Sequence, residues 1–251
     1  MTDLTGLVAV VTGGNQGIGL ALAVGMARAG ADIAVWARNT ERTSVAVEQL
    51  TGHGVRAIGV RCDVADEDSV VAAMDETVRR LGPLGCFVAN AGIAAATPFT
   101  ETTLADWHHV LRTNLDGTFL CTREAARRFV AQGGGGSMLV VSSMVSRYGA
   151  AGQAAYATSK TGLLGLGRTL AVELARHRVR VNVLIPGWTA TAMNEELRRN
   201  ERFVAATTGR TPVRRWAAPA EFEDMAAFLA DPKLTFHTGT EVVVDGGYTV
   251  Y

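Results

Sequence analysis

Tyr156 and Lys160 stand four residues apart in the run AAYATSK at 154–160. On a helix this spacing stacks two side chains on one face, and the small residues around them leave both room. A free phenol titrates near pH 10, so it exchanges protons at neutral pH only where its phenolate is favoured. A neighbouring ammonium does that. Ser143, thirteen residues before Tyr156, adds a hydroxyl that can hydrogen-bond an oxygen on which charge develops. It can do so only if the intervening loop folds back across a strand end. The chemistry indicated is proton transfer to or from a substrate oxygen. Taken singly the residues have plainer uses: Tyr156 as an interfacial aromatic, Ser143 or Ser142 as a turn residue.

A second group of residues points to a phosphate. The run Thr12-Gly13-Gly14-Asn15-Gln16-Gly17-Ile18-Gly19 follows the first apolar, Val-rich stretch at once. Backbone without Cβ atoms can approach a pyrophosphate closely, and the N-terminus of the helix that follows favours negative charge. The spacing is G-x-x-x-G-x-G, so Gly13, Asn15, Gln16, Gly17, Ile18 and Gly19 become candidate cofactor-binding residues. The end of the next strand, roughly 20 residues on, should meet the adenosine ribose. It reads Trp36-Ala37-Arg38-Asn39 and carries no acid; Asp32 lies at the strand's other end, and Glu41 is already in the next helix. The planar fork of Arg38, beside Asn39, suits a 2′-phosphate. NADP(H) is therefore favoured, with NAD(H) possible if Arg38 only stacks on adenine.

These groups need a scaffold that holds them at one edge. Strands are expected at 7–12, 32–37, 55–61, 84–89, 137–142, 179–184 and 241–244, separated by helices at 18–29, 41–50, 67–81, 104–131, 154–177 and 219–230. Strand–helix alternation along the whole chain implies parallel βαβ units. The expected fold is α/β, a Rossmann-type doubly wound parallel sheet with helices on both faces, three layers in one domain over 1–251. Residues 186–212 break the rhythm after a strand end, where such sheets bind ligands. They are expected to form a substrate lid.

The composition narrows the partners. With 24 basic and 24 acidic residues the net charge is zero, which gives no global attraction to nucleic acid or anionic membrane. Cys62, Cys86 and Cys121 are odd in number, far apart and without metal-ligand spacing, so they read as reduced thiols and no metal is expected. The opening apolar run has no basic segment before it and ends in glycines, unlike a signal peptide. No apolar stretch is long enough to span a bilayer, and the expected location is the cytoplasm.

Further markers follow in order: Asp63-Val64, Asn90-Ala91-Gly92, Asn114, Ser143, Tyr156-x-x-x-Lys160 and Pro186-Gly187. With the glycine turn they make the chain resemble a short-chain dehydrogenase/reductase of the single-domain branch, over nearly its full length. The pair Ala89-Asn90 departs from the doubled Asn usual before Ala-Gly. The resemblance implies an oxidoreductase that moves a hydride between nicotinamide and a ketone or secondary alcohol, with Tyr156 as acid/base. It implies that Lys160 holds the nicotinamide ribose, that Asn114 anchors a water linking Lys160 to solvent, and that Asp63 and Val64 flank adenine. It places Asn90, Ala91 and Gly92 beside the cofactor, Pro186 and Gly187 against nicotinamide, and Thr189 and Thr191 at its carboxamide or a phosphate.

Three segments, 93–99, 144–153 and 186–212, should line the substrate pocket, with Arg147 among its polar groups; Arg198, Arg199 and Arg202 either attract an anion from the lid or form a solvated helix face. Sugar or polyol substrates and 3-oxoacyl thioesters are not separated by these residues. A homotetramer or homodimer is implied, packed through the long helices and the C-terminal strand, with Gly162, Gly165 and Ala171 permitting close approach. The alternative function is a noncatalytic NADP(H)-binding redox sensor, against which the intact Tyr/Lys pair argues.

Overall fold

Val-rich runs separated by helices close into one parallel sheet. The computed structural model describes residues 2–251. Its strands are β1 (Val8–Thr12), β2 (Asp32–Ala37), β3 (Ala57–Arg61), β4 (Leu84–Ala89), β5 (Gly136–Val141), β6 (Val179–Pro186) and β7 (Glu241–Val244). They lie in the order β3-β2-β1-β4-β5-β6-β7, and every neighbouring pair is parallel. The order reverses between β1 and β4, the switch point at which doubly wound sheets bind ligands.

Burial on both faces explains the near-continuous apolar strands, and the period-two alternation divides the central strands between cores on opposite faces of the sheet. In β1, Val8 and Val10 join one core with Trp36, Phe87 and Phe129, while Ala9 and Val11 join the other with Met26, Phe222 and Leu229. Trp36 meets Phe87 edge-on at 5.5 Å and donates its Nε1–H to Thr77 Oγ1 at 2.9 Å. Edge strand β3 instead alternates buried and exposed residues.

Helices α1 (Gly17–Arg28), α2 (Thr40–Thr51) and α3 (Glu67–Leu81) follow the first three strands as the sequence predicts. The expected long helix at 104–131 is present as one continuous run over 104–132 that carries a single irregularity. α4 (Leu104–Leu111) runs into a widened π turn at Arg112–Asp116 and then α5 (Gly117–Gln132). Such a turn carries an extra residue and loosens the carbonyl ladder; Thr118 Oγ1 answers by donating to the Asn114 carbonyl at 2.8 Å. α6 (Ala154–Leu174) carries Tyr156 and Lys160. After β6 come α7 (Glu195–Arg198) and α8 (Glu201–Arg210), then α9 (Glu223–Ala230). Among the described residues no helix is long and apolar enough to cross a membrane.

The small-residue face expected on α6 is not uniform. Ala171 is buried in a core, Gly162 lies against Leu115, and only Gly165 faces open space. Gly25 in α1 is a different case, because a Cβ there would lie 1.9 Å from the Glu223 carbonyl oxygen in α9. Two helix backbones meet at that point, and neither can yield as a flexible side chain would. Gly25→Ala should therefore lower stability by about 1–3 kcal/mol. Gly165→Ala should raise it by about 0.5–1 kcal/mol through helix propensity. Urea midpoints at constant slope would read both.

Candidate active site

The carboxyl ends of β1, β4, β5 and β6 open into one cavity. Its floor is the β1–α1 turn, where Gly13 and Gly17 adopt φ of +63° and +56°, conformations that side chains resist. The α1 N-cap, Gln16, makes no side-chain cap, and the first turn holds no acid. The first amides of α1 thus keep their donors and the positive end of the helix dipole for a ligand anion. Asn90 braces the turn by donating to the Thr12 and Gly13 carbonyls at 2.9 and 3.3 Å, while Thr12 Oγ1 accepts from the amides of Asn90 and Ala91. The brace leaves no space at Gly19, whose Cβ would lie 2.3 Å from Asn90 Nδ2.

Gly13, Asn15, Gln16, Gly17, Ile18 and Gly19 all line this cavity, as do Asn90, Ala91 and Gly92. A second cavity adjoins it over the ends of β2 and β3, lined by Arg38, Asn39, Asp63 and Val64. Arg38 approaches Asp63 only at 4.0 Å, and both side chains are largely solvated. Asn39 has an additional duty: its Oδ1 accepts from the Arg42 amide at 2.9 Å as the N-cap of α2. That cap brings Arg42 into the same cavity, where its guanidinium donates to Gln16 Oε1 at 3.0 Å. Sequence reasoning passed over Arg42. Its position four residues after Arg38, one turn into a capped helix, was the available signal.

At the other end of the first cavity lie Ser143, Tyr156 and Lys160. Lys160 is only 4% exposed, and its Nζ donates to the Val141 carbonyl at 2.9 Å. Ser142 Oγ donates to the Lys160 carbonyl at 2.8 Å, which fixes α6 to the end of β5. Lys160 Nζ lies 5.8 Å from the centre of the Tyr156 ring, on the common helix face that the spacing predicts. Asn114 lines neither cavity. From the π turn its carboxamide pairs with both the amide and the carbonyl of Ile93, at 2.8 and 2.9 Å, and donates to Ser159 Oγ at 3.1 Å. It ties the loop after β4 to α6 beside Lys160.

Burial works against the charged form of both Tyr156 and Lys160. Burial pushes the Tyr156 phenol up, opposed only by its hydrogen bond with Ser143, and burial pushes Lys160 down to about 8. Desolvation penalises both charged forms, so in the chain by itself the ammonium does not bring the phenol's pKa down.

Pro186, Gly187, Thr189 and Thr191 line the same cavity, and Thr191 reaches over the glycine turn, its Cγ2 3.3 Å from where a Gly17 Cβ would sit. Asn194 clamps this segment, accepting from the Thr191 amide at 3.1 Å and donating to the Thr189 carbonyl at 2.7 Å. Of the expected substrate contacts, Ala94, Met144, Gln153, Trp188, Met193 and Asn194 line the cavity. The arginines do not. Arg147 is taken by an ion pair with Glu241, Arg199 pairs with Glu195 at 3.2 Å, and Arg198 and Arg202 are exposed. The three cysteines are buried, and no His/Cys/Asp/Glu cluster able to hold a metal occurs among the described residues.

A family profile described as Enoyl-(Acyl carrier protein) reductase matches residues 13–249. The chain is 34% identical to the 2-dehydro-3-deoxy-D-gluconate 5-dehydrogenase of Escherichia coli (strain K12), covering 98% of this chain and 96% of that protein. It is 39% identical to the cis-4-hydroxycyclohexanecarboxylate dehydrogenase of Sinomonas cyclohexanicum, covering 96% of each. The crystal structure of a gluconate 5-dehydrogenase from Burkholderia cenocepacia J2315, in complex with NADP and tartrate, superposes with a TM-score of 0.94. It is 34% identical over 100% of this chain and 98% of that one.

The buried lysine makes a measurable demand on folding. A lysine whose folded pKa is near 8 binds fewer protons than its unfolded counterpart between pH 8 and 10, so its cost to stability falls as pH rises through that window. Wild type should gain on Lys160→Met by up to roughly 3 kcal/mol between those limits. Parallel pH series of chemical denaturation would measure it, and equal slopes for the two proteins would refute it.

Proposed function

The chain belongs to the short-chain dehydrogenase/reductase family, and from that membership we propose an NADP(H)-dependent oxidoreductase that interconverts a ketone and a secondary alcohol. One observation carries the proposal: a buried lysine, a phenol and a serine hydroxyl share a single cavity with an uncapped, glycine-lined helix N-terminus. The residues present fit a dinucleotide. Bare backbone at Gly13 and Gly17 and the free α1 amides suit a pyrophosphate. Asp63 and Val64 suit the adenine side, and Arg38 with Arg42 suits a 2′-phosphate. Pro186, Gly187, Thr189 and Thr191 suit the nicotinamide end. The relative solved with NADP supports the phosphorylated cofactor. The two curated relatives, both named as dehydrogenases of hydroxy acids, support a secondary alcohol.

When bound, the nicotinamide supplies or accepts hydride and, in its oxidised form, adds a positive charge to the cavity. The chain's own groups do the rest. In the reducing direction Tyr156 Oη delivers a proton to the carbonyl oxygen, and Ser143 Oγ donates a hydrogen bond to that oxygen as charge grows on it. In the oxidising direction Tyr156 takes the proton back. Burial alone opposes that phenolate, so the step depends on positive charge in the cavity. Lys160 supplies part of it, holds the nicotinamide ribose and re-protonates the phenol, while Asn114 anchors the water through which Lys160 reaches solvent.

Residues 186–212 act as the substrate lid of a single-domain enzyme. An aromatic cluster pins it down: Trp188 stacks on Trp216, just beyond the segment, at 5.0 Å and meets Phe203 edge-on at 5.2 Å. Phe99, Leu104 and Phe119 along the α4–α5 side are exposed, as are Val250 and Tyr251 at the C-terminus. Apolar groups left in water support a homotetramer or homodimer. Neutral net charge and reduced, buried cysteines support a cytoplasmic protein.

An NADPH-oxidation assay over a small panel of ketones tests the proposal. Tyr156→Phe should lower kcat by at least about a hundredfold while leaving NADPH affinity nearly intact; unchanged turnover would sink the mechanism. Replacing Arg38 and Arg42 together with Ala should weaken NADPH binding by at least about tenfold and NADH binding by less than about twofold. Fluorescence titration of both cofactors would read the difference, and equal losses would return the arginines to adenine stacking.

A further inference from the structure

Five side-chain amides line the cavity: Asn15, Gln16, Asn90, Gln153 and Asn194. Four are committed to the protein. Asn15 donates to Thr43 Oγ1, Gln16 accepts from Arg42, Asn90 braces the glycine turn, and Asn194 clamps Thr189 and Thr191. Gln153 is the exception. It stands at the N-cap of α6 yet caps no amide with its side chain. Its own backbone is spent, since its N–H donates to the Ala150 carbonyl at 3.2 Å and its carbonyl accepts from the Ala157 amide at 2.8 Å. One residue earlier, the Gly152 carbonyl accepts from the Thr97 amide at 2.9 Å, which fixes the approach to α6. The carboxamide is therefore the free polar group of Gln153, and the residue is half-buried, not sealed.

The helix sets its direction. Gln153 precedes Tyr156 by three residues and Lys160 by seven, so the three lie on one stripe of α6. Tyr156 and Lys160 line the cavity, and Gln153 lines it with them. We propose that Gln153 is a specificity-determining residue whose Nε2–H donates to a second, non-reacting oxygen of the substrate. The substrate class is an uncharged ketone, or the matching alcohol, with a further carbonyl or hydroxyl oxygen a few bonds from the reacting carbon. Among the described residues Lys160 is the only cation lining the cavity, and its Nζ is bonded to Val141. A neutral oxygen suits that setting, whereas a carboxylate would lack a counter-ion. Met144, Val145 and Met193 supply apolar walls that offer such an oxygen no other partner. The inference rests on the oxidoreductase function proposed above.

Cyclohexane-1,4-dione and cyclohexanone share a ring and differ in the second oxygen. With NADPH, the wild-type kcat/KM ratio of dione to monoketone should fall at least about fivefold in Gln153→Met, which keeps the length and removes the amide. An equal loss for both ketones, or an unchanged ratio, would overturn the proposal. Should Gln153→Met fold poorly, Gln153→Glu keeps the size but offers an ionised carboxylate no donor for a carbonyl, and the same ratio decides. A third ketone, 4-oxocyclohexanecarboxylate, tests the charge: an advantage over the dione that vanishes in Gln153→Met would overturn the neutral-oxygen assignment.

A second readout needs no turnover. In protein labelled with ¹⁵N at glutamine side chains and saturated with NADP⁺, the Gln153 amide signals, identified by their absence from either variant, should move on adding the dione. They should stay in place with cyclohexanone. Identical behaviour with both ketones refutes the contact even if both are reduced. Absence of turnover with responsive amide signals would count against the oxidoreductase function alone.

Discussion

The hydrogen bond from Lys160 Nζ to the Val141 carbonyl is the contact on which the site depends. An ammonium taken out of water must be compensated where it lies, and here the acceptor is the last residue of a central strand. The bond sets the depth of α6 against the sheet. Ser142 Oγ sets it again from the strand side, and Asn114 holds Ser159, the residue before the lysine, from across the cavity wall. Tyr156 takes its place from that anchored helix. Tyr156 and Lys160 are therefore fixed by helix and sheet, whereas Ser143 stands in the loop just past β5.

A parallel sheet makes this economical. Every strand points the same way, so all strand ends with polar loops gather on one edge, and the switch between β1 and β4 leaves a crevice there. Asn90 uses the crevice twice, pairing with the β1–α1 turn on one side while the residues beside it line the cavity on the other. The brace is tight enough that glycine is required at position 19 for space alone. The glycine turn and the Tyr156/Lys160 pair thus sit at the two ends of one cavity, separated by residues that carry no charge.

Much of this was legible in the sequence because it is local. The glycine turn, the Tyr156/Lys160 spacing and the strand–helix alternation each span a few residues with a fixed physical meaning, and the parallel sheet and the helix face follow them. The rest depends on contacts between distant residues. A single extra residue at Arg112–Asp116 leaves no periodic trace, so the widened turn inside that long helix was hidden. Arg147 looked free for a substrate because its partner, Glu241, lies 94 residues on. Ala171 looked like interface and proved to be core. The effect of burial on Tyr156 and Lys160 was the hardest to foresee, since spacing gives their proximity whereas burial gives the sign of the shift.

That sign changes how the dyad must be understood. A phenol that burial keeps neutral, beside an amine whose hold on its proton burial weakens, is not a permanently activated base. They are poised so that an added positive charge favours the phenolate, and its removal restores the phenol. A cofactor that is cationic only when oxidised would then set the protonation state each direction of the reaction needs: a neutral acid when a ketone awaits a proton, a base when an alcohol must lose one. Burial, which looks like a cost in the isolated chain, is what makes the tyrosine respond to that charge, because the same low dielectric that raises its pKa strengthens every charge placed beside it.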